Sequence, residues 1–262
     1  MKPVSIEEIL ARKREEIAEL RADRTWSGRP RIRERRSFRA ALAKPGLSVI
    51  AEIKRSSPST GDLGVDIDAL LAAYISAGVD ALSILTDSHF RMSAGELERL
   101  AKKTDLPILR KDFTLSKEQI DEACILGADA ILLIATFLPA EELAELGAHA
   151  EALGLDVLYE AHAREDLLKI PREAGIIGIN NRNLAAGDYR TDTGLSQELH
   201  AMIPEGVIRV AESGYEKAAE VPAGYDAVLI GTGLIRKFKR GGSDAVAAAI
   251  LQFPASSSTL DG

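Results

Sequence analysis

The sequence predicts an α/β fold, a closed (β/α)8 barrel, and three observations carry that prediction. Apolar runs alternate with helix-like segments along the chain. Four glycines, Gly78, Gly127, Gly175 and Gly224, recur at spacings of 49, 48 and 49 residues. Each lies between a helix-like segment and an apolar run, as a helix C-cap glycine does. No glycine-rich dinucleotide fingerprint follows the first strand, which disfavours an open doubly wound sheet.

A period of 48 or 49 residues is too long for one strand–helix unit and fits two, so four periods give eight strands. The predicted strands cover 47–54, 80–86, 106–111, 129–135, 155–160, 176–180, 207–212 and 226–231. The predicted helices cover 66–77, 93–103, 116–126, 139–153, 163–173, 192–202, 214–221 and 241–252. Alternating strands and helices form a parallel sheet, and eight repeats close it.

Local signals refine the helix starts. Ser116, three residues before Gln119, predicts a capping box, and Pro139 suits a first helical turn. An extra amphipathic helix is predicted over residues 5–22, and its apolar stripe is Ile6, Ile9, Leu10, Ile17 and Leu20. We expect one TIM-barrel domain over 1–262, with a helical extension (1–45), the barrel (46–253) and a Ser-rich, disordered tail (254–262).

Composition limits the class of protein. With 46% hydrophobic residues the chain can bury a full core, and its net charge of −7 argues against nucleic acid as a partner. One cysteine, Cys124, excludes an internal disulfide and fits a reducing compartment; we interpret it as core filler on a helix. The N-terminal residues lack a signal-peptide apolar region, and the longest apolar run, 130–135, is too short to span a bilayer. We expect a soluble, cytoplasmic monomer or weak homodimer.

The arginine-rich stretch 21–39 has two interpretations. In an acidic chain it is most simply a solvated linker with a short helix. Alternatively it attracts anions near the mouth of the barrel.

Charged and polar side chains finish one predicted strand after another. In such barrels the active site lies at the carboxyl ends of the strands. One charge there could belong to a surface ion pair, but several converging on one mouth predict a catalytic site. The candidates are Glu52 and Lys54 on one face of the first strand, then Lys111, Glu160, Asn180 and Glu212 at the third, fifth, sixth and seventh.

Small residues follow the last two strands. Ser213-Gly214 and Gly231-Thr232-Gly233 supply free backbone N–H groups where barrel enzymes bind phosphate, which predicts a phosphorylated substrate. No metal site is predicted, because the four histidines, His89, His149, His162 and His200, show no ligand spacing. We place His162 in a loop or behind the site.

Several long motifs resemble indole-3-glycerol phosphate synthases. They are residues 50–59 (IAEIKRSSPS), 106–113 (LPILRKDF), 177–184 (IGINNRNL) and 211–214 (AESG), with 128–134 and 158–162 also fitting. The resemblance covers essentially the whole chain. It implies a carboxy-lyase of tryptophan biosynthesis, a TIM barrel that uses no cofactor and no metal. Such an enzyme converts 1-(2-carboxyphenylamino)-1-deoxyribulose 5-phosphate to indole-3-glycerol phosphate, CO2 and water.

The resemblance also implies roles for the strand-end residues. Lys111 matches the general acid and Glu160 the general base, and Lys54 pairs with the substrate carboxylate or exchanges acid duty with Lys111. Glu52 and Asn180 orient these groups, and Glu212 tunes the lysines or contacts the sugar chain. The implied binding residues are Ser57 and Arg182 in the pocket, Ser213, Gly214, Gly231 and Thr232 at the phosphate, and Phe90 at the anthranilate ring.

One segment departs from the family pattern. Residues 89–93 (HFRMS) replace a run with two adjacent aromatics and a glycine and are one residue shorter, which leaves the role of Phe90 open.

Two other classes of protein stay in competition: a phosphosugar isomerase or Schiff-base aldolase, and a degenerate barrel kept as a binding subunit. The isomerases use Asp with Cys or a second Asp, the aldolases need a lysine where this chain has Asn180, and a degenerate barrel would lose a charged strand end.

Overall fold

Eight parallel strands close into a barrel in the computed structural model, which describes residues 5–23, 25–57, 61–182 and 190–253. Each strand pairs with its neighbours along the chain, and the last pairs with the first. The strands are β1 (Ser48–Ile53), β2 (Ala81–Leu85), β3 (Ile108–Lys111), β4 (Ala130–Ile134), β5 (Asp156–Ala161), β6 (Ile176–Asn180), β7 (Ile208–Glu212) and β8 (Ala227–Ile230). The predicted barrel is therefore confirmed, and every predicted strand lies within three residues of an observed one.

Helices surround the barrel, and the predicted N-terminal helix is present. They are α1 (Ile6–Ala22), α2 (Phe38–Leu42), α3 (Ile67–Ser76), α4 (Ala94–Ala101), α5 (Lys117–Ile125), α6 (Ala140–Ala152), α7 (Arg164–Leu167), α8 (Gly194–Leu199) and α9 (Thr232–Ile250). A short antiparallel hairpin, Ser56–Ser57 with Gly61–Asp62, follows β1.

Three helix predictions were wrong in extent. The helix predicted over 163–173 is the single turn α7, and the one over 214–221 is a 3-10 turn at Ala218–Glu220. There Ser213 and Gly214 adopt left-handed φ values of 65° and 92°, outside the α-helical range. The element α9 consists of two helical segments that meet at a kink, where Gly241 and Gly242 have non-helical φ and ψ angles. The predicted helix 241–252 corresponds to the segment after the kink, and the segment that begins at Thr232 was not predicted.

The predicted capping box was also wrong. Ser116 makes no side-chain cap hydrogen bond. Gln119 instead accepts from the Leu115 amide and donates to the carbonyl of Phe113, and so fixes the loop that follows β3. The Gln119 side chain therefore stabilises the loop after β3 and does not cap α5.

The repeated glycines form part of a larger repeated device. Gly78, Gly127 and Gly224 have positive φ and end a helix or turn. In each of these repeats an aspartate two residues later accepts a hydrogen bond from a backbone amide of the preceding strand in the sequence. The bonds are Val49 N to Asp80 (2.8 Å), Ile108 N to Asp129 (2.9 Å) and Arg209 N to Asp226 (2.7 Å). The aspartates therefore join neighbouring strands at the amino end of the barrel.

Two apolar layers form the core, one inside the barrel and one between strands and helices. Phe38 and Leu42 of α2 are fully buried against the inner layer and close the amino end. Arg31 and Arg33 bind the buried Asp129 at that same end. Arg31 and Arg33 thus hold the N-terminal extension against the amino end of the barrel and do not lie at its mouth, where they could attract anions.

The predicted tail, 254–262, lies outside the described residues. Among the helices of the described part of the chain, none is long and apolar enough to cross a membrane.

Candidate active site

A cavity of about 260 Å³ opens at the carboxyl ends of the strands. Its wall combines charged strand-end residues with apolar residues from the barrel interior. Twelve of the thirteen predicted site residues line it: Glu52, Lys54, Phe90, Lys111, Glu160, Asn180, Arg182, Glu212, Ser213, Gly214, Gly231 and Thr232. Ser57 is absent from the described lining; it is buried in the hairpin after β1.

Lys111 lies at the centre of the charged group. Its Nζ is 2.8 Å from Glu160 Oε2 and 3.5 Å from Glu212 Oε2. Burial alone would lower the pKa of Lys111, but the carboxyl groups of Glu160, Glu212 and Glu52 raise it above its ordinary value. Lys111 is therefore a charged ammonium at neutral pH, held against a carboxylate.

The pKa values of Glu160 and Glu212 are shifted in opposite directions. Burial disfavours charge on both, but the charge of Lys111 lowers the pKa of Glu160 to about 2. Burial and the neighbouring negative charge of Glu160 raise the pKa of Glu212 well above its ordinary value. Glu160 therefore carries the negative charge of the pair at neutral pH and can accept a proton.

Glu52 and Lys54 form a second, buried ion pair on the adjacent strand. Burial alone would raise the pKa of Glu52, but the charges of Lys54 and Lys111 hold it below its ordinary value. Burial lowers the pKa of Lys54, with Arg182 adding to the effect and Glu52 opposing it. The two lysines of the site thus differ: Lys111 holds its proton more firmly than an ordinary lysine and Lys54 less firmly.

Two glycines make room for these carboxyl groups. A Cβ on Gly178 in β6 would overlap Glu212 Oε1, and a Cβ on Gly231 after β8 would overlap Glu52 Oε1. Neither glycine has a positive φ. The reason for glycine at both positions is therefore space beside a buried carboxyl group.

The ends of β7 and β8 form a concave polar site. Ser213 adopts a left-handed φ of 65°, unusual for a residue with a side chain. Helix α9 begins at Thr232, so its first-turn N–H groups lie at this end. The Oγ1 of Thr232 is buried and has no hydrogen-bond partner among the described residues. Together with the nearby Arg182 and Arg236, this end fits an anion.

The opposite wall is apolar. Phe90 lies in a 3-10 turn after β2, and Phe113 follows β3 with its ring centroid 6.0 Å from that of Phe137. Leu132 and Ile134 of β4 complete this wall. Apolar and aromatic side chains of this kind can pack against a flat aromatic ring. Phe90 lines the cavity even though its segment is short, and Arg91 directly after it takes a left-handed φ of 58°.

Some lining residues were missed by the sequence analysis. Phe113, Leu132 and Ile134 lie in apolar runs that look like ordinary core. Arg236 lies on the part of α9 that was predicted as loop. A period-2 pattern in β4 places Leu132 and Ile134 on one face, but sequence alone does not tell an inner face near the mouth from one deeper in the barrel.

A chain of hydrogen-bonding groups lies behind Glu160. His162 Nε2 is 3.3 Å from Glu160 Oε1, and Nδ1 is 3.0 Å from Thr136 Oγ1. The Thr136 hydroxyl donates to Asp166 Oδ2 at 2.6 Å. His162, predicted to lie in a loop or behind the site, lies behind it and approaches Glu160.

Helix α1 reaches the same end of the barrel through Lys13. The lysine Nζ is 3.0 Å from Asp87 Oδ2 and 2.7 Å from Asp112 Oδ1, and all three side chains are at most 2% exposed. Asp87 follows β2, and Asp112 comes directly after Lys111. Burial would lower the pKa of Lys13, but Asp112 and Asp87 raise it above its ordinary value. The extension is thus tied to two active-site loops.

Among the described residues no group of three His, Cys, Asp or Glu side chains is arranged to hold a metal ion. The acidic side chains of the site are paired with lysines instead. The arrangement can supply an ammonium proton donor, a carboxylate base, an anion site and an aromatic wall.

Fold and site together define a TIM-barrel enzyme that carries out acid–base chemistry beside an anion-binding end. The family model of indole-3-glycerol phosphate synthase matches residues 6–241. The indole-3-glycerol phosphate synthase of Chlorobium phaeovibrioides (strain DSM 265 / 1930) is 46% identical over 209 residues, covering 76% of this chain and 80% of that protein. The one from Geobacillus sp. (strain WCH70) is 41% identical over 258 residues, 94% of this chain and 95% of that protein.

The chain belongs to the indole-3-glycerol phosphate synthase family. It is a carboxy-lyase of tryptophan biosynthesis, and its reaction closes the indole ring with loss of carbon dioxide, which confirms the resemblance seen in the motifs. Among solved structures, the tryptophan synthase subunit alpha from Legionella pneumophila str. Paris aligns with a TM-score of 0.57 at 18% identity, over 82% of this chain and 93% of that one. That likeness bears on the fold alone.

Proposed function

We propose that Lys111 is the general acid and Glu160 the general base of the ring closure and dehydration. The observation that carries this proposal is the 2.8 Å contact between Lys111 Nζ and Glu160 Oε2 inside the cavity. Lys111 is charged at neutral pH and can protonate the ketone oxygen as the aromatic carbon attacks. Glu160 is ionised and can remove the ring proton when the hydroxyl leaves.

The substrate lies across the barrel mouth in this proposal. Its phosphate binds at Ser213, Gly214, Gly231 and Thr232 with Arg182 nearby, and its anthranilate ring lies against Phe90 and Phe113. The unpartnered Thr232 hydroxyl and the N-terminus of α9 support the phosphate position. The reacting carbons then lie between these ends, at the charged groups.

Lys54 and Glu52 position the substrate. Lys54 pairs with the substrate carboxylate, and Glu52 and Asn180 orient the lysines and the substrate hydroxyls. Glu212, whose pKa is raised and whose Oε2 is 3.5 Å from Lys111 Nζ, tunes Lys111. Ser57, buried in the hairpin after β1, supports the wall of the pocket.

The test is an indole-fluorescence assay with 1-(2-carboxyphenylamino)-1-deoxyribulose 5-phosphate. Lys111→Ala and Glu160→Gln each lower kcat by about 10²- to 10⁴-fold, the usual contribution of general acid–base catalysis. Lys117→Ala and Glu145→Gln are the matched controls, because these two exposed residues form an ion pair and do not line the cavity; both variants should retain activity. An active Lys111→Ala beside an inactive Lys54→Ala would move the acid role to Lys54.

We also propose that the protein is cytoplasmic, a monomer or weak homodimer, and binds no nucleic acid. A single cysteine and a net charge of −7 support this proposal. Light scattering at several concentrations tests the oligomeric state, and retention on immobilised nucleic acid at physiological salt would contradict the last point.

A further inference from the structure

We propose that His162 is a positioning residue that takes over from Glu160 the proton removed from the substrate, and that Thr136 and Asp166 fix the imidazole tautomer able to do so. This inference rests on the proposed role of Glu160 as the general base.

The tautomer follows from counting donors. A threonine hydroxyl has one hydrogen, and that of Thr136 is donated to Asp166 Oδ2 at 2.6 Å. Its oxygen can then only accept from His162 Nδ1, which lies 3.0 Å away. The proton of a neutral imidazole is thus on Nδ1, and the lone pair of Nε2 faces Glu160.

Nε2 and the carboxylate oxygen that it faces are both proton acceptors. His162 Nε2 and Glu160 Oε1 are 3.3 Å apart, and both are buried without a hydrogen bond to any described residue. Two buried acceptors side by side are unfavourable. A proton on Glu160 Oε1 removes the conflict, because the carboxylic acid can donate to Nε2. The arrangement therefore suits the moment just after Glu160 has accepted a proton.

The other charged groups around His162 keep it neutral beforehand. Lys111 on β3 and Arg182 after β6 face it as cations, and Glu160 on β5 and Asp166 on α7 face it as anions. Burial, together with the two cations, lowers the pKa of His162 below its ordinary value. Lys169, two residues after the end of α7, approaches Asp166 Oδ1 at 3.2 Å and keeps that carboxylate in place.

Over the whole reaction two protons are taken up and one is released, so one proton comes from solvent. Lys111 gives the first proton to the ketone oxygen, and the hydroxyl so formed takes the second from solvent and leaves as water. The C–H bond of the ring then breaks, its electron pair forms the indole double bond, and the proton binds Glu160. It moves to His162 Nε2, giving an imidazolium between the Glu160 carboxylate and, through Thr136, Asp166. It returns through Glu160 to the neutral amine that Lys111 became when it donated its own proton, across the 2.8 Å contact.

The experiment measures kcat and KM between pH 5 and 9 for wild type, His162→Gln, Thr136→Val and Thr136→Ser. Glutamine can hydrogen-bond to Glu160 but cannot take up its proton. We expect His162→Gln to lower kcat about 10- to 100-fold with KM within about twofold. In the wild type, protonation of His162 Nε2 should make kcat fall at acid pH, and this fall should be absent in His162→Gln. Thr136→Val should lower kcat, whereas Thr136→Ser, which keeps the hydroxyl, should retain it.

The outcomes separate the two proposals. Unfolding in urea is measured for each variant, and if His162→Gln does not fold, the Thr136→Val and Thr136→Ser pair decides. A His162→Gln variant with wild-type kcat or with the wild-type acid limb overturns the role of His162 while Glu160→Gln stays inactive. An active Glu160→Gln overturns the proposed function instead.

Discussion

Buried charged residues distinguish this chain from a barrel whose interior is entirely apolar. Lys13 is a buried charged residue that the sequence pattern indicates. It lies four residues after Ile9 and four before Ile17, on the buried stripe of α1, where a lysine without partners would be strongly destabilising. Glu16, one turn further along α1, is one partner, at 2.6 Å from Lys13 Nζ. The two buried partners, Asp87 and Asp112, come from other parts of the chain, so the helical pattern indicates that partners are needed but does not identify these two.

Replacing Lys13 tests this ion pair at the residue scale. Lys13→Met removes the cation that the buried Asp87 and Asp112 share and leaves Asp112 with Arg110 alone, and breaking a buried pair in this way costs about 3–5 kcal/mol. We expect the free energy of unfolding in urea at pH 7 to fall by that amount. Arg12→Met, at an exposed position on the same helix, is the control and should change it by less than about 0.5 kcal/mol. Equal midpoints for the two variants would contradict the assignment.

At the scale of elements, the repeat of 48 or 49 residues has a physical cause. Each complete copy pairs a helix-ending glycine with an aspartate that accepts an amide of the neighbouring strand. The third copy has Ile177 in place of the aspartate, and its Gly175 lacks a positive φ. The spacing therefore predicted the number of units correctly. The helix-capping role that it also predicted for the third glycine, Gly175, is not observed.

A glycine within β6 gives the prediction at this scale. Gly178→Ala places a Cβ where Glu212 Oε1 lies, so Glu212 must move away from Glu160 and Lys111. We expect kcat to fall about tenfold or more, since small displacements of catalytic groups are costly. Gly95→Ala, whose Cβ makes only ordinary contact within α4, serves as the control and leaves kcat unchanged. Wild-type kcat in Gly178→Ala would show that Glu212 has no positional role.

At the scale of the whole molecule, the buried carboxylates make stability depend on pH. The pKa of Asp112, held by Lys13 and Arg110 against the effect of burial, is lowered to about 2, and that of Glu160 also to about 2. Carboxyl groups with a lowered pKa in the folded state stabilise it above their ordinary pKa near 4, and this stabilisation is lost as the pH falls toward 2. Glu212 has the opposite effect on stability, because its pKa is raised in the folded state. Its contribution to stability is greater at low pH than at neutral pH.

Acid unfolding measures the balance of these groups. The carboxylates with lowered pKa, Asp112 and Glu160 with Glu52, outnumber Glu212 among the shifted buried groups of the site and its α1 contact. We therefore expect the free energy of unfolding in urea to fall by several kcal/mol between about pH 4.5 and pH 2.5. Stability that stays constant over the acid range would contradict the ion-pair assignments.

The sequence by itself determined the number and order of the strands, the presence of α1, and the side chains that finish each strand. These follow from local periodicity and from the geometric rule that parallel strands bring their carboxyl ends together. Glu52, Lys111, Glu160 and Glu212 could therefore be assigned to one mouth without coordinates.

Only the tertiary structure decided which of these charges pair and what surrounds them. The 2.8 Å contact of Lys111 with Glu160, the raised pKa of Glu212 and the position of His162 behind Glu160 depend on side chains from β3, β5 and β7 meeting across the barrel. Protonation depends on burial and on charges a few ångströms away. Such distances are set by closure of the barrel and not by spacing along the chain.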